Sequence, residues 1–170
     1  MTSLVLTVIA PDKPGLVEQL SQTIASNQGN WLESSMSRLA GKFAGILIVS
    51  VPETQADSLM EALQKLESQG MKVIAERSNE EETPTESNSI TLELIGHDKP
   101  GIVREISQAL SRYNINVERL STELVSGSMS AELLFKADAD LTVPTGVDLD
   151  DLQQSLEAIA NDLMVDITLN

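Results

Sequence analysis

Two nearly identical stretches carry the residues of this chain that are best placed to bind a small ligand. They read APDKPGLVEQLSQ, from Ala10 to Gln22, and GHDKPGIVREISQ, from Gly96 to Gln108. In each, Asp-Lys-Pro-Gly directly precedes apolar residues at helical spacing, a pattern typical of a helix start. The free N–H groups and positive dipole end of a helix N-terminus suit a carboxylate. An aspartate beside them can cap those groups or accept hydrogen bonds from an ammonium, so the stretch could hold a zwitterion.

A purely structural interpretation of the same tetrapeptide stays open. Asp-Lys-Pro-Gly is a good turn for starting a helix, with proline presetting φ and glycine permitting close approach of a chain or ligand. A fold that is duplicated whole copies its turns too, so duplication does not separate a turn from a site. If the loop is a site, valine at Gly15 or Gly101 is predicted to block carboxylate approach while the fold survives.

The similarity extends beyond the two stretches. Placing Asp12 on Asp98 is an offset of 86 residues (98 − 12 = 86). Continued without a gap, this offset pairs further identical residues: Ser35 with Ser121, Gly41 with Gly127 and Leu47 with Leu133. Two copies are too few for a solenoid, so two whole domains are predicted. We expect domain 1 over residues 1–77, an acidic solvated linker over 78–88 and domain 2 over 89–170.

Each copy predicts the element order βαββαβ. Strand alternation, helical spacing and a hairpin follow one another in both copies, with turns expected near Gly41 and near Ser126 and Gly127. This order predicts an α+β fold of two ferredoxin-like domains, each an antiparallel four-stranded sheet with both helices on one face. The first strand is apolar on both faces in copy one, so we expect its second face to be covered. A homodimer is expected if nothing within the chain covers it.

Composition excludes several function classes. With 26 acidic and 11 basic residues, the net charge of −15 disfavours direct binding of nucleic acid. The absence of cysteine removes disulfides, thiolate nucleophiles and common zinc sites, and it fits a cytoplasmic protein. The first apolar run ends at Pro11, too short to span a membrane. We expect neither a metal nor another cofactor.

Three further features each have two interpretations. His97, the one histidine, directly precedes the second stretch and either donates to a bound carboxylate or is merely exposed. Trp31 either packs in the core or an interface or belongs to a cofactor site, and packing is favoured because one aromatic residue at a strand position usually supplies buried area. The aspartates at Asp148, Asp150 and Asp151 could attract a divalent cation, but without the closing glutamate of a calcium loop a solvated loop before an N-capped helix is favoured.

The stretches TVIAPDKPGLVEQLSQ and LELIGHDKPGIVREISQ, each followed by a strand that begins with asparagine, resemble the ACT domain, a βαββαβ amino-acid-sensing module. Two such domains in one chain resemble the glycine cleavage system transcriptional repressor family. The resemblance implies a regulator without catalysis that binds a small amino acid, glycine first, between two ACT units and contacts a transcriptional activator. The alternative is a feedback subunit that docks on an enzyme of amino-acid metabolism.

The resemblance also implies which residues bind the ligand. The first copy would use the loop after its first strand and the asparagine of its second strand: Asp12, Lys13, Pro14, Gly15, Leu16, Val17 and Asn30. The second copy would use the matching positions: Asp98, Lys99, Pro100, Gly101, Ile102, Val103 and Asn116. The copies differ beside the motif, where Pro11 aligns with His97 and Glu18 aligns with Arg104, so one copy can bind while the other is structural.

Overall fold

Residues 1–78, 86–127 and 132–170 are described by the structure, a computed structural model. The chain divides into two units, Met1–Glu82 (unit 1) and Thr83–Asn170 (unit 2). In these described ranges, no helix combines the length and the apolar character that crossing a membrane requires.

Unit 1 is one four-stranded sheet with two helices. Its elements are β1 (Thr2–Pro11), α1 (Leu16–Ser26), β2 (Asn30–Leu39), β3 (Lys42–Val51), α2 (Ala56–Gln64), which a 3₁₀ turn (Lys65–Gln69) prolongs, and β4 (Lys72–Arg77). The strand order is β2-β3-β1-β4, and every neighbouring pair is antiparallel.

Unit 2 repeats this arrangement. Its elements are β5 (Ser87–His97), α3 (Ile102–Arg112), β6 (Asn116–Ser126), β7 (Leu133–Pro144), α4 (Leu149–Leu163) and β8 (Val165–Leu169). The strand order is β6-β7-β5-β8, again antiparallel throughout. The predicted pair of ferredoxin-like α+β domains is confirmed.

Each core lies between the sheet and its two helices. On β1 every second residue is buried, as at Leu4 and Leu6, and α1 buries Leu20 and Ile24 against them. Burying one such side chain fully contributes about 1.5–3 kcal/mol. Unit 2 uses the same alternation, so side-chain periodicity alone positions both helices over their sheets.

The hairpin of unit 2 is longer than that of unit 1, which corrects the ungapped alignment. Leu6 pairs with Leu47, and the matching residue of unit 2, Leu92, pairs with Ala139. The structural counterpart of Leu47 is therefore Ala139 and not Leu133. Pairing with the buried residues of β5 sets the register of β7, so the extra residues are confined to the hairpin tip. The predicted turn begins at Gly127, and residues 128–131 lie outside the described part.

The first strand of unit 2 begins two residues before the end of the predicted linker. β5 begins at Ser87, and Ser87 and Asn88 pair with Pro144 and Val143 of the long strand β7. The last two residues of the predicted linker, 87 and 88, therefore belong to the sheet, because β7 supplies backbone partners for them. Residues 79–85 of that segment lie outside the described ranges.

Each sheet has a second face, which its helices leave open. In unit 1 this open face consists of aliphatic residues from three strands: Val5, Ile9, Ile46, Ile48 and Ile74. The elements of unit 1 leave it uncovered, since Ile46 is 56% exposed and Ile74 50% exposed. The expectation that this face is covered is therefore not met within unit 1.

The open face of unit 2 is polar. Its central positions are occupied by acidic residues from three strands: Glu93, Asp138, Asp140 and Asp166. Arg119 donates a hydrogen bond of 2.7 Å from Nε to Asp140, which raises the pKa of the Arg119 guanidinium. The two units thus have cores of the same pattern and differ on the sheet face opposite the helices.

Candidate functional site

Both loops between the first strand and first helix of a unit have the same backbone shape. Gly15 and Gly101 are the N-cap residues, with φ of 89° and 92°, and the helices begin at the next residue. This left-handed conformation favours glycine. The prolines, Pro14 and Pro100, therefore lie in the turn before the N-cap and outside the helices.

No side chain caps α1 or α3, so Asp12 and Asp98 do not cap their helices. The first intrahelical bonds run from the N–H of Gln19 to Gly15 and from the N–H of Glu105 to Gly101, each at 3.0 Å. The preceding N–H groups of each helix therefore have no intrahelical acceptor. Two equivalent N-termini are open to an anion.

The loop residues differ in what they can offer a ligand. Leu16 and Ile102 are 4% and 3% exposed and pack into the cores, so only their backbones can take part in binding. Val17 and Val103 are half exposed, at 49% and 45%. Of the predicted site residues Leu16, Ile102, Val17 and Val103, only the two valines present side chains to solvent.

The predicted asparagines lie at the other end of each sheet. Asn30 pairs with Ser50, which pairs with Ser3, nine residues along β1 from Asp12. At about 3.3 Å per residue this separates Asn30 from the loop by about 30 Å. Neither asparagine is brought to the loop of its own unit, and sharing a site would require another unit.

Asn116 belongs instead to a polar group at its own end of unit 2. Its Nδ2 donates to Oε1 of Glu118 at 2.7 Å, and the same oxygen accepts a bond from Thr142 Oγ1 at 2.9 Å. This is the counterpart position of Asn30 and is remote from Gly101. The resemblance implies that Asn116 and the loop contribute to one ligand site, but within unit 2 the strand direction separates them.

His97 also points away from the α3 N-terminus. Leu92 and Leu94 are buried under the helices, so the alternation of β5 directs His97 to the opposite face. Its Nδ1 lies 3.1 Å from Oε2 of Glu132. The interpretation of His97 as a carboxylate donor in the loop site receives no support from this geometry.

The charges around the two N-termini differ. The Asp12 N–H donates to Gly41 O at 2.9 Å, and its carboxylate lies 3.4 Å from Nη1 of Arg38. Arg38 pairs with Phe43, and the equivalent partner of Phe135 in unit 2 is Leu124, which carries no charge. The sequence reasoning did not identify Arg38, although the register of the β2–β3 hairpin could have revealed it.

The first helical turn carries different charges in the two units. Glu18 is the charged residue of the first turn of α1, whereas α3 has Arg104 at that position, followed by Glu105. An anion is favoured at a helix N-terminus, and a nearby cation adds to that field whereas a carboxylate opposes it. Lys13 and Lys99 precede the two helices alike, but the charges of Arg104 and Glu105 cancel in α3 whereas Glu18 is unopposed in α1, so the N-terminus of α3 is the better anion site of the two.

An apolar cavity of about 50 Å³ runs beside α3. Its lining includes Ile102 and Val103 at the start of the helix, and Val117 and Leu120 of β6. Trp31, the counterpart of Val117, packs against the core of unit 1, as predicted. The smaller valine leaves space in unit 2 along α3 toward the C-terminal end of that helix, where Leu110 also lines the cavity.

The aspartates before α4 have a structural role. Asp148 is the N-cap residue, and its Oδ1 accepts a hydrogen bond of 2.9 Å from the N–H of Asp150. The interpretation as an N-capped helix is therefore confirmed. Within the part of the chain that the structure describes, no group of three or more His, Cys, Asp or Glu could hold a metal ion.

Comparison with known proteins extends these observations. The ACT domain family matches residues 2–75 and again residues 90–135. The glycine cleavage system transcriptional repressor of Escherichia coli (strain K12) is 21% identical over 173 residues, covering 98% of this chain and 88% of that protein. A UPF0237 protein of Methanococcus maripaludis is 30% identical over 82 residues, covering 46% of this chain and 91% of that protein.

Two solved structures share the fold over nearly the whole chain. A protein of unknown function from Galdieria sulphuraria superposes with a TM-score of 0.83 at 24% identity, covering 99% of this chain and 97% of that one. A candidate glycine cleavage system transcriptional repressor gives a TM-score of 0.71 at 20% identity, covering 99% and 96%. The family matches and the two βαββαβ units agree, and this chain belongs to the ACT domain family, with one ACT domain in each unit.

Proposed function

We propose that this chain is a non-catalytic, amino-acid-sensing regulator of the glycine cleavage repressor kind. The observation that carries the proposal is the span of the match to the Escherichia coli repressor, which covers 98% of this chain and 88% of that protein. Both ACT domains are therefore included, in the same order. In this proposal the two sensing domains transmit their signal through contact with another protein.

The ligand site of this proposal is the N-terminus of α3. The N–H groups of Ile102, Val103 and Arg104 bind the ligand carboxylate, and the side chains of Lys99 and Arg104 add positive charge. The carboxylate of Asp98 accepts hydrogen bonds from the ligand ammonium. Glycine fits without further space, and a small aliphatic side chain would extend toward the adjacent cavity of about 50 Å³.

The equivalent site in unit 1 is weaker in this proposal. Glu18 places a negative charge in the first turn of α1, which opposes a bound carboxylate. Asp12 is already paired with Arg38 at 3.4 Å, so its carboxylate is less available to an ammonium. Unit 1 therefore contributes mainly as a structural and interaction domain.

Calorimetric titration tests the ligand site. The full chain is titrated with glycine, then serine, alanine and the branched-chain amino acids. We expect saturable binding of at least one, glycine first, and a loss of at least about tenfold in Arg104→Glu, equal to about 1.4 kcal/mol. Arg112→Glu, the same charge change at the other end of α3, is the matched control and should bind like wild type. Absence of binding by every amino acid would contradict the proposal.

Valine at Gly15 or Gly101 is a poor test of this site. Both glycines have positive φ, and a side chain there is strained although no atom lies within 4 Å of the added Cβ. A loss of binding would then report the changed backbone as much as a blocked site. The Arg104→Glu variant and its control Arg112→Glu avoid this problem, because both leave the loop conformation unchanged.

The signalling partner in this proposal is a transcriptional activator, contacted in the cytoplasm. The net charge of −15 opposes direct contact with nucleic acid and leaves a protein partner as the target. Isolation of the untagged protein from its own cells, with and without the amino acid, tests this step. Recovery of an activator supports the proposal. Recovery of an enzyme of amino-acid metabolism instead would favour the alternative of a feedback subunit.

A further inference from the structure

We propose that the open face of unit 1 is the surface through which two copies of this chain associate. This face contains five aliphatic residues on three adjacent strands: Val5, Ile9, Ile46, Ile48 and Ile74. The three isoleucines for which exposure is greatest, Ile46, Ile74 and Ile9, are 56%, 50% and 45% exposed. The inference goes beyond ligand binding and does not depend on it.

The face has the composition of an interface core. Its middle row runs from Ile46 across Thr7 to Ile74, without a charged residue. Charged residues of this face lie at its two edges: Lys72 and Glu76 on the outer strand β4, where they pair with Ile9 and Val5, and Glu33 on the outer strand β2. An uncharged apolar centre with a charged rim is the usual anatomy of a protein interface. Contiguous exposed aliphatic residues of this kind mark an interaction site.

The size of the face suits a second copy. The aliphatic residues lie on β3, β1 and β4, and with the outer strand β2 the whole face, four strands about 4.8 Å apart and seven residues of β1 long, measures about 20 Å by 25 Å. Two such faces together bury about 1,000 Å², which is close to the smallest area found in specific interfaces. An isologous pair places the same apolar surface on both sides, so no charge is left buried without a partner.

The charged residues at the edge of the face also favour a second copy of this chain as the partner. Lys72 and Glu76 have opposite signs and lie at opposite ends of one side of the face. If the two-fold axis lies in the interface and perpendicular to the strands, Lys72 of one copy faces Glu76 of the second copy. Symmetry repeats this contact, so two complementary ion pairs flank the apolar centre.

The open face of unit 2 cannot serve the same purpose. Glu93 and Asp138 occupy the positions that correspond to Thr7 and Ile46. Two copies meeting through this face would bring like charges together in a partly dehydrated interface, which is unfavourable. Association is therefore specific to unit 1.

Sedimentation velocity over a concentration series of the full chain tests the proposal. We expect a concentration-dependent dimer for wild type and at least a tenfold larger dissociation constant for Ile46→Lys. The matched control is Asp138→Lys, at the equivalent strand position of unit 2, which should dimerise like wild type. Circular dichroism verifies that both variants fold. A monomer at every concentration, or an Ile46→Lys dimer of unchanged strength, would overturn the proposal.

A crosslinking experiment tests the same proposal without relying on the Ile46→Lys variant. The chain has no cysteine, so Thr7→Cys introduces a single thiol at the centre of the face. Packed sheets lie about 10 Å apart, too far for a direct disulfide. A short bis-maleimide should therefore link two Thr7→Cys chains. Glu93→Cys, the matched position of unit 2, should remain unlinked, and equal crosslinking of the two variants would refute the assignment.

Discussion

Unit 1 and unit 2 differ most on the sheet face that their helices leave open. The centre of this face is Ile46 and Ile74 beside Thr7 in unit 1, but Asp138 beside Glu93 in unit 2. Alternation along a strand sends neighbouring side chains to opposite faces, so the open face can change while the buried face is kept. The two units thus keep the same core pattern, while the open face is aliphatic in unit 1 and acidic in unit 2.

The two helix N-termini differ in the same way. Their backbones agree, since Gly15 and Gly101 have φ of 89° and 92°. Their charges do not, because Glu18 of unit 1 is replaced by Arg104 in unit 2. This contrast supports a division of roles in which unit 2 binds the amino acid and unit 1 provides the contact between copies.

The largest expected effect tests whether the two cores are equivalent. Leu6 and Leu92 hold matching central positions and are 0% and 3% exposed. Substitution of either by alanine should lower the free energy of unfolding of its unit by about 2–5 kcal/mol, because it leaves a cavity. Chemical denaturation of the full chain followed by circular dichroism measures this. A loss below about 1 kcal/mol in only one unit would contradict the equivalence of the cores.

The next effect tests whether the two loops are equivalent. Gly15→Ala and Gly101→Ala should each cost about 1–2 kcal/mol of stability, because alanine is strained at positive φ. No atom lies within 4 Å of the added Cβ, so the whole cost is conformational. Asparagine at the same positions should cost less, since it tolerates this conformation better. Equal stability of the alanine variants and wild type would be inconsistent with the left-handed N-cap.

A comparable effect tests the difference in charge. Glu18→Arg gives α1 the positive side chain that α3 has at this position, so unit 1 should gain affinity for the amino acid of about tenfold, or about 1.4 kcal/mol. Calorimetry in the Arg104→Glu background isolates this gain from binding by unit 2. Glu61→Arg, the same charge change on α2, is the control. No gain in the double variant would show that first-turn charge does not distinguish the units.

The smallest effect concerns the rim of the open face of unit 1. Lys72→Glu should weaken the dimer only a few-fold, because exposed ion pairs contribute about 0.2–1 kcal/mol each. Combining Lys72→Glu with Glu76→Lys should restore the wild-type dissociation constant, since the charges are exchanged and remain complementary. Sedimentation velocity at low ionic strength measures both. A double variant weaker than Lys72→Glu alone would exclude the proposed orientation of the two copies.

The element order of the fold could be predicted from the local periodicity of apolar residues. The alternation of β1 and the apolar spacing of α1 and α3 determine the element order, because each pattern reports which side faces the core. The length of the second hairpin was not predictable in this way. Placing Leu47 on Leu133 matches identical residues, whereas the true counterpart, Ala139, is recognised only from its pairing with Leu92.

The site was predicted less completely than the fold. The loop glycines were identified, because a motif reports local conformation. The separation of Asn30 from Asp12, and the proximity of Arg38 to Asp12, depend on strand direction and hairpin register. These are long-range properties, and neither is encoded in the spacing of the motif itself.

An NMR titration of the ¹⁵N-labelled full chain with glycine and then alanine tests most directly whether unit 2 binds the amino acid. We expect saturable shifts that are largest at the backbone amides of Ile102, Val103 and Arg104. The amides of Val17 and Glu18 should respond less. Saturable binding with its largest shifts away from the N-terminus of α3, or no saturable shift with either amino acid, would contradict the assignment of the sensing site to unit 2.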